Sequence, residues 1–251
     1  MNPTSYPAAV RFEWTKFRTS RSTVLTALAL AAWFPVMAVI VAATESLQPD
    51  DTILGASVLG GAAGAQLTAA ALGALVVTSE FRTGMIRTTL TAVPRPLVVL
   101  AAKASVVAGV VFAVTLPAAA GAFGIGRVML DADVYAAGDP FPALLGVVLA
   151  ITAIGVLGVA IGAVVHHSAG ALAVVVAVVL LPGMVAPLLG GVERWIGGAS
   201  LNGVLEKMTQ SSDATPETVG SLAAWPSLGV VAAYTVTAVL LAVGALRARD
   251  I

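Results

Sequence analysis

The chain contains no cysteine and very little charge. Without cysteine it can form no disulfide, thiol nucleophile or thiolate metal site. Charged residues make up 10% of its 251 positions and hydrophobic residues 59%. A soluble domain carries roughly a quarter charged residues, so this composition excludes a soluble globular fold and indicates an integral membrane protein. A phosphate-cradling loop is also missing. Such a loop ends in Gly-Lys followed by Ser or Thr, but the three lysines follow Thr15, Ala102 and Glu206. ATP hydrolysis by that route is excluded. The formal net charge is +0, which leaves no basic footprint for nucleic acid. His166 and His167 are the only histidines; side by side, they lack the further ligands of a metal site. No catalytic residue, metal or bound cofactor is assigned to the chain.

Long apolar runs dominate the remainder. Six lie at about 24–43, 53–77, 97–126, 143–165, 169–190 and 227–246. A helix needs about 20 apolar residues to span a bilayer. The first run exceeds the apolar core of a cleaved signal and reads as a retained span. Lys103 stands near the start of the third run, where its long stem can return the ammonium to the interface. The expected architecture is an all-α membrane protein of one domain. It has six transmembrane helices, an N-terminal interfacial helix (10–22), a short helix in the second connection (79–95) and a helical outer loop (191–226).

Orientation follows from the basic residues. Ten lie on one side: Arg11, Lys16, Arg18, Arg21, Arg82, Arg87, Arg95, Lys103, Arg247 and Arg249. Three lie opposite: Arg127, Arg194 and Lys207. Both termini and the second connection are therefore expected in the cytoplasm. Intramembrane carboxylates, which ion-coupled transporters commonly use, are absent from the runs. Gln66, Thr68, Thr115 and Thr235 are the candidate polar groups of a substrate pathway, with helix-to-helix hydrogen bonding as the alternative. Thr152 and Thr237 also lie at depth. Gly60-x-x-x-Gly64 and Gly158-x-x-x-Gly162 permit close helix approach. In the outer loop, Asn202 is a candidate cap for a short amphipathic helix through Leu205 and Met208.

At the N-terminus, Val10, Trp14 and Phe17 can share one helical face, with Arg11, Lys16 and Arg18 turned to water or lipid phosphate. The second connection reads Ser79-Glu80-Phe81-Arg82-Thr83-Gly84-Met85-Ile86-Arg87-Thr88-Thr89-Leu90. Ser79 can cap a helix beginning at Glu80 and running to Thr91, where acid suits the helix N-terminus. Phe81, Met85, Ile86 and Leu90 would form its apolar stripe, and Pro94 and Pro96 would end it. A short surface helix with such a stripe is built to dock.

The order Glu80, Gly84, Leu90, Pro94-Arg95, Lys103 resembles the membrane subunits of type-2 ABC exporters, in particular an actinobacterial group. The basic amphipathic start Glu13-Trp14-Thr15-Lys16-Phe17-Arg18, the six spans, the long outer connection and the Arg247-x-Arg249-Asp250 tail agree with it. The resemblance implies a multi-pass permease of a bacterial plasma membrane, in contact with lipid. It implies a separate ATP-binding subunit that carries ATP and Mg, and a second permease, either another copy or a paralogue. It also implies that Glu80, Phe81, Arg82, Gly84, Arg87 and Leu90, with Glu13 and Lys16 of the first helix, couple to that ATPase. Cargo would be amphiphilic, drug-like or lipid-like, as in multidrug efflux and antibiotic resistance. The alternatives are a secondary transporter or channel, and a non-transporting anchor or immunity subunit.

Overall fold

A computed structural model describes residues 5–44, 47, 50–93, 95–189 and 193–248, with side chains for all of these except Arg87, Leu90, Ala92, Pro187 and Glu193. Helix α1 (Tyr6–Thr19) opens on Pro7 and buries Ala9, Glu13 and Phe17, spaced four apart along one face. Ser20 takes an extended conformation and ends it. The first long helix, α2 (Arg21–Thr44), follows at once. The interfacial helix thus begins before residue 10 and stops short of 22, and the first apolar helix starts at Arg21.

Helix α3 (Ile53–Thr83) is capped by the Thr52 hydroxyl, which accepts from the Gly55 amide. It runs past the predicted end at 77 and stops only at Gly84, whose φ of 71° is left-handed. Glycine adopts that conformation without the Cβ penalty other residues meet. The short helix of the second connection is therefore α4 (Met85–Ala92). Glu80 belongs to the preceding long helix, and the Ser79 hydroxyl bonds back to the Val76 carbonyl instead of capping. Pro94, the predicted stop, lies outside the described residues.

Helix α5 (Pro96–Met129) starts on a proline, whose fixed φ suits a first turn. Helix α6 (Pro140–Val165) ends at left-handed His166. His167 Nδ1 then accepts from the Gly170 amide and caps α7 (Ser168–Val185). The histidine pair is thus a structural turn. Beyond α7 come a 3₁₀ turn (Ala186–Leu188), α8 (Glu193–Ala199), α9 (Leu201–Met208) and α10 (Ala224–Arg247). The fifth run becomes a shorter helix than predicted, and residues 190–192 lie outside the description. Ser200, not Asn202, caps α9 by accepting from the Gly203 amide.

The fold is all-α, and α2, α3, α5, α6, α7 and α10 are long and apolar enough to cross a membrane. Leu25, Leu240 and Leu241 are 64%, 60% and 67% exposed. Apolar side chains so placed on the outer faces suit a hydrocarbon solvent rather than water. At 1.5 Å per residue, α3 and α5 reach about 46 and 51 Å, well beyond the roughly 30 Å hydrocarbon core. Their extra turns project where α1 and α4 lie. Helices α8 and α9 sit at the opposite end.

The central pair is α3 with α6. A Cβ on Gly73 would stand 2.0 Å from the Gly155 carbonyl oxygen. One on Gly158 would stand 2.1 Å from the Ala70 oxygen, and one on Gly162 2.7 Å from that of Ala74. The glycines bring the two backbones into direct contact, the packing available where lipid supplies no hydrophobic drive. Gly158-x-x-x-Gly162 thus closes an internal interface, while Gly60 and Gly64 receive Met37 and Trp33 of α2.

Gly73→Ala should lower the thermal stability of the detergent-solubilised protein, by about 1–3 kcal/mol on the scale of an overpacked core. Gly244→Ala, whose Cβ would enter open space, should not. Equal melting temperatures for the two variants would contradict this account of the α3–α6 contact.

Candidate functional site

Three helices meet at the α1 end of the bundle, and each contributes charge. Helix α1 supplies Glu13 and Lys16, the last turn of α3 supplies Glu80, and the second turn of α5 supplies Lys103. Glu80 and Lys103 are each 1% exposed and Glu13 is 4% exposed. Lys103 Nζ lies 2.8 Å from Glu13 Oε1 and also contacts Glu80 Oε1. Lys16 contacts Glu80 Oε1 and lies 3.3 Å from Glu13 Oε2. Two acids and two bases form a neutral quartet that fastens α1 to both long helices. Burying an isolated charge is prohibitive, and only pairing with good geometry makes it tolerable. Glu80 Oε2 nevertheless has no hydrogen-bond partner among the described residues. A cavity of about 160 Å³, lined also by Phe17, Thr23 and Val106, adjoins the quartet.

This geometry corrects two expectations. Lys103 does not return its ammonium to the interface; it turns inward, because two carboxylates wait there. Glu80 presents no surface to a partner in this conformation, because its carboxylate is enclosed by two lysines. Sequence reasoning singled out Glu13, Lys16 and Glu80 but not their link through Lys103. The available signal was the coincidence of two acids and two lysines at one boundary in a chain with so few charges.

The other residues of the 79–90 block are distributed differently. Phe81 is half-buried and meets the His166 ring edge-on, with centroids 4.3 Å apart. Arg82 and Gly84 are exposed, and nothing lies within 4 Å of where a Gly84 Cβ would be. On α4, Ile86 and Thr89 turn inward while Met85 and Thr88 are exposed. The Arg87 and Leu90 side chains lie outside the described residues. An apolar groove between α4 and α1, with Ala8, Phe12 and Met85 along it, encloses about 310 Å³.

The four candidate pathway residues are not brought together. Gln66 donates to Asn202 Oδ1 of α9, tying the outer helices to the bundle centre. Thr68 accepts from Trp33 Nε1 at 2.9 Å. Thr115 bonds to the Val111 carbonyl of its own helix, and Thr235 has no partner for its buried hydroxyl among the described residues. Gln66, Thr68 and Thr115 thus each make a hydrogen bond within the bundle, while Gln66 Oε1 is buried without a partner among the described residues. At the end where α8 and α9 lie, Asn202, Glu206 and Asp213 border a cavity of about 390 Å³. Burial, and then Asp213, raises the Glu206 carboxyl above its ordinary value. Among the described residues no group of three or more His, Cys, Asp or Glu could hold a metal. Compared with known proteins, the chain matches no family model and no curated protein.

Replacing Lys103 with Met should destabilise the fold by about 3–5 kcal/mol, since it strands buried carboxylates. The double variant Lys103→Met with Glu80→Gln should recover much of that loss, as read from thermal unfolding. A double variant no more stable than the single one would mean that the two do not act as a pair.

Burial, and next to it Lys103, pushes the Lys16 ammonium from 10.5 down to about 8. Below pH 8 both the folded and the unfolded chain hold this proton. Between about 8 and 10.5 only the unfolded chain does, so the residue's contribution to stability rises with pH through that window. Wild-type protein should gain stability relative to Lys16→Met between pH 7.5 and 9.5, measured by melting at each pH.

Proposed function

We propose that this chain is the permease subunit of an ATP-driven exporter of the type-2 ABC class, powered by a separate ATP-binding chain and paired with a second permease. The observation that carries the proposal is the construction of the α1 end. Helix α4 is short and hinges on left-handed Gly84, and Met85 and Thr88 form its exposed edge. Helix α1 lies beside it, and the buried quartet fastens α1 to the two longest helices. Force applied to either short helix would be passed to the bundle rather than absorbed by a loop. The excess of basic residues supports a cytoplasmic placement of that end, where ATP is available. The missing phosphate loop fits a chain whose ATP and Mg are bound elsewhere.

In this reading, closure of two ATP-binding subunits displaces α1 and α4, and the span bundles of two permeases rock against each other. A pathway between them opens alternately to either side. The partner must contact α4 differently in its two states, since otherwise no equilibrium shifts. The contacts fall to Arg82, Met85 and Thr88, the exposed groups around the hinge, with Gly84 allowing close approach. A cargo with a large apolar part suits walls so poor in polar groups.

Co-expression with its ATP-binding partner and reconstitution into proteoliposomes tests the proposal. Wild-type chain should copurify with that subunit, stimulate its ATPase and support ATP-dependent efflux. Arg82→Gln combined with Met85→Asp should insert normally but lose the stimulation. Transport without any ATPase would point to a secondary carrier, and copurification without transport to an anchoring subunit; either result overturns the proposal.

A further inference from the structure

On the lipid-facing side of the bundle a groove of about 340 Å³ runs between α2 and α5, beneath the end of α1. One wall is Val24, Ala27, Leu28 and Ala31, the repeat of three and four that gives one face of α2. The opposite wall is built on Gly109 and Ala113, one turn apart on α5. Nothing lies within 4 Å of where a Gly109 Cβ would be, so the missing side chain opens the channel instead of seating a neighbour. The groove body is apolar throughout. Its mouth is not: Trp14 and Arg18, one turn apart on α1, line that end.

The mouth carries unspent binding capacity. Glu13 and Lys16 are consumed by the buried quartet, whereas Arg18 is exposed and makes no ion pair among the described residues. Trp14 is 46% exposed and stacks parallel on Phe17, with centroids 6.3 Å apart. Its indole N–H likewise has no acceptor among the described residues. The N-terminus of α2 begins three residues after Arg18, and its first amides lack intrahelical partners. Arg18 and Trp14 thus line the mouth, and the apolar groove leads from them between α2 and α5.

We propose that this groove is a specific binding site for one anionic phospholipid, its phosphate at Arg18 and Trp14 and an acyl chain between α2 and α5. The occupant is argued from complementarity. A phospholipid has one anionic end and a uniformly apolar chain, and the groove has one basic mouth and a uniformly apolar body. In a second copy the helix carboxylates at this end, Glu13 and Glu80, are enclosed by its own quartet and are not offered to Arg18. The basic end of the molecule also faces the leaflet that carries the anionic lipids when that end is cytoplasmic. The inference needs only a membrane-spanning bundle and stands apart from the transport reading.

The test is native mass spectrometry of the full chain released from nanodiscs of phosphatidylcholine and phosphatidylglycerol. Wild-type chain should retain one phosphatidylglycerol under conditions that strip the annular lipid, and should prefer it to phosphatidylcholine. Arg18→Gln should weaken retention about fivefold, the loss of one surface cation–lipid contact, and abolish the preference. Gly109→Leu should reduce retention of both lipids by filling the groove. Leu240→Phe, on the exposed face of α10, serves as the control and should change neither. Each variant's melting temperature distinguishes a lost site from a lost fold, and the preference of the wild-type chain can be read without any substitution. Equal retention of the two lipids by wild type, or by wild type and Arg18→Gln, overturns the proposal. So does a wild-type dimer that Gly109→Leu dissociates, which would make the groove an interface between copies.

Discussion

Two buried carboxylates, a buried ammonium and the half-buried ammonium of Lys16 set the terms for one end of the molecule, at the junction of α1, α3 and α5. Neither carboxylate nor Lys103 can leave its partners without stranding a charge in a medium that solvates it poorly. The quartet therefore fixes the angle at which α1 meets the bundle more firmly than α1's apolar face alone could. It also explains why α3 and α5 overshoot the hydrocarbon layer. Glu80 and Lys103 need extra helical turns to stand level with Glu13 and Lys16, and those turns provide the platform from which Gly84 throws α4 outward.

The rest of the bundle is held by different physics. Within lipid there is little hydrophobic gain in bringing two apolar helices together, so contact area and hydrogen bonds must suffice. The α3–α6 pair meets backbone to backbone because glycine alternates with alanine on the facing surfaces. Trp33 to Thr68 and Gln66 to Asn202 add polar ties at depth. The helices at the periphery, α2, α7 and α10, keep large aliphatic side chains on the outside, where lipid accepts them. The glycine-packed centre and the charge-fastened end together leave α4 joined to the long helix before it only through left-handed Gly84.

Much of this was legible in the residue order. The six apolar helices follow from runs free of acid and base. The histidine turn follows from two adjacent rings between two such runs, whereas the left-handed break at Gly84 falls inside the helix expected from Glu80 to Thr91. What misled was proximity in sequence. Ser79 and Glu80 carry the signature of a helix start, but the helix above them had no reason to stop, so they became its last turn. Asn202 looks like a cap, yet Ser200 reached the amide first and left Asn202 free for Gln66.

The sequence by itself determined the class of solvent, the number of long helices and the end at which basic charge gathers, because these depend on composition and on contacts between near neighbours. Only the tertiary structure decided which charges meet. Glu13, Glu80 and Lys103 are far apart along the chain, and each alone would be expected at an interface. Whether such a group faces water or another charge depends on the three-dimensional arrangement of three helices, which no local pattern encodes. The same holds for Arg18, whose neighbours on α1 are taken up by the quartet while it remains exposed above a groove that two distant helices form.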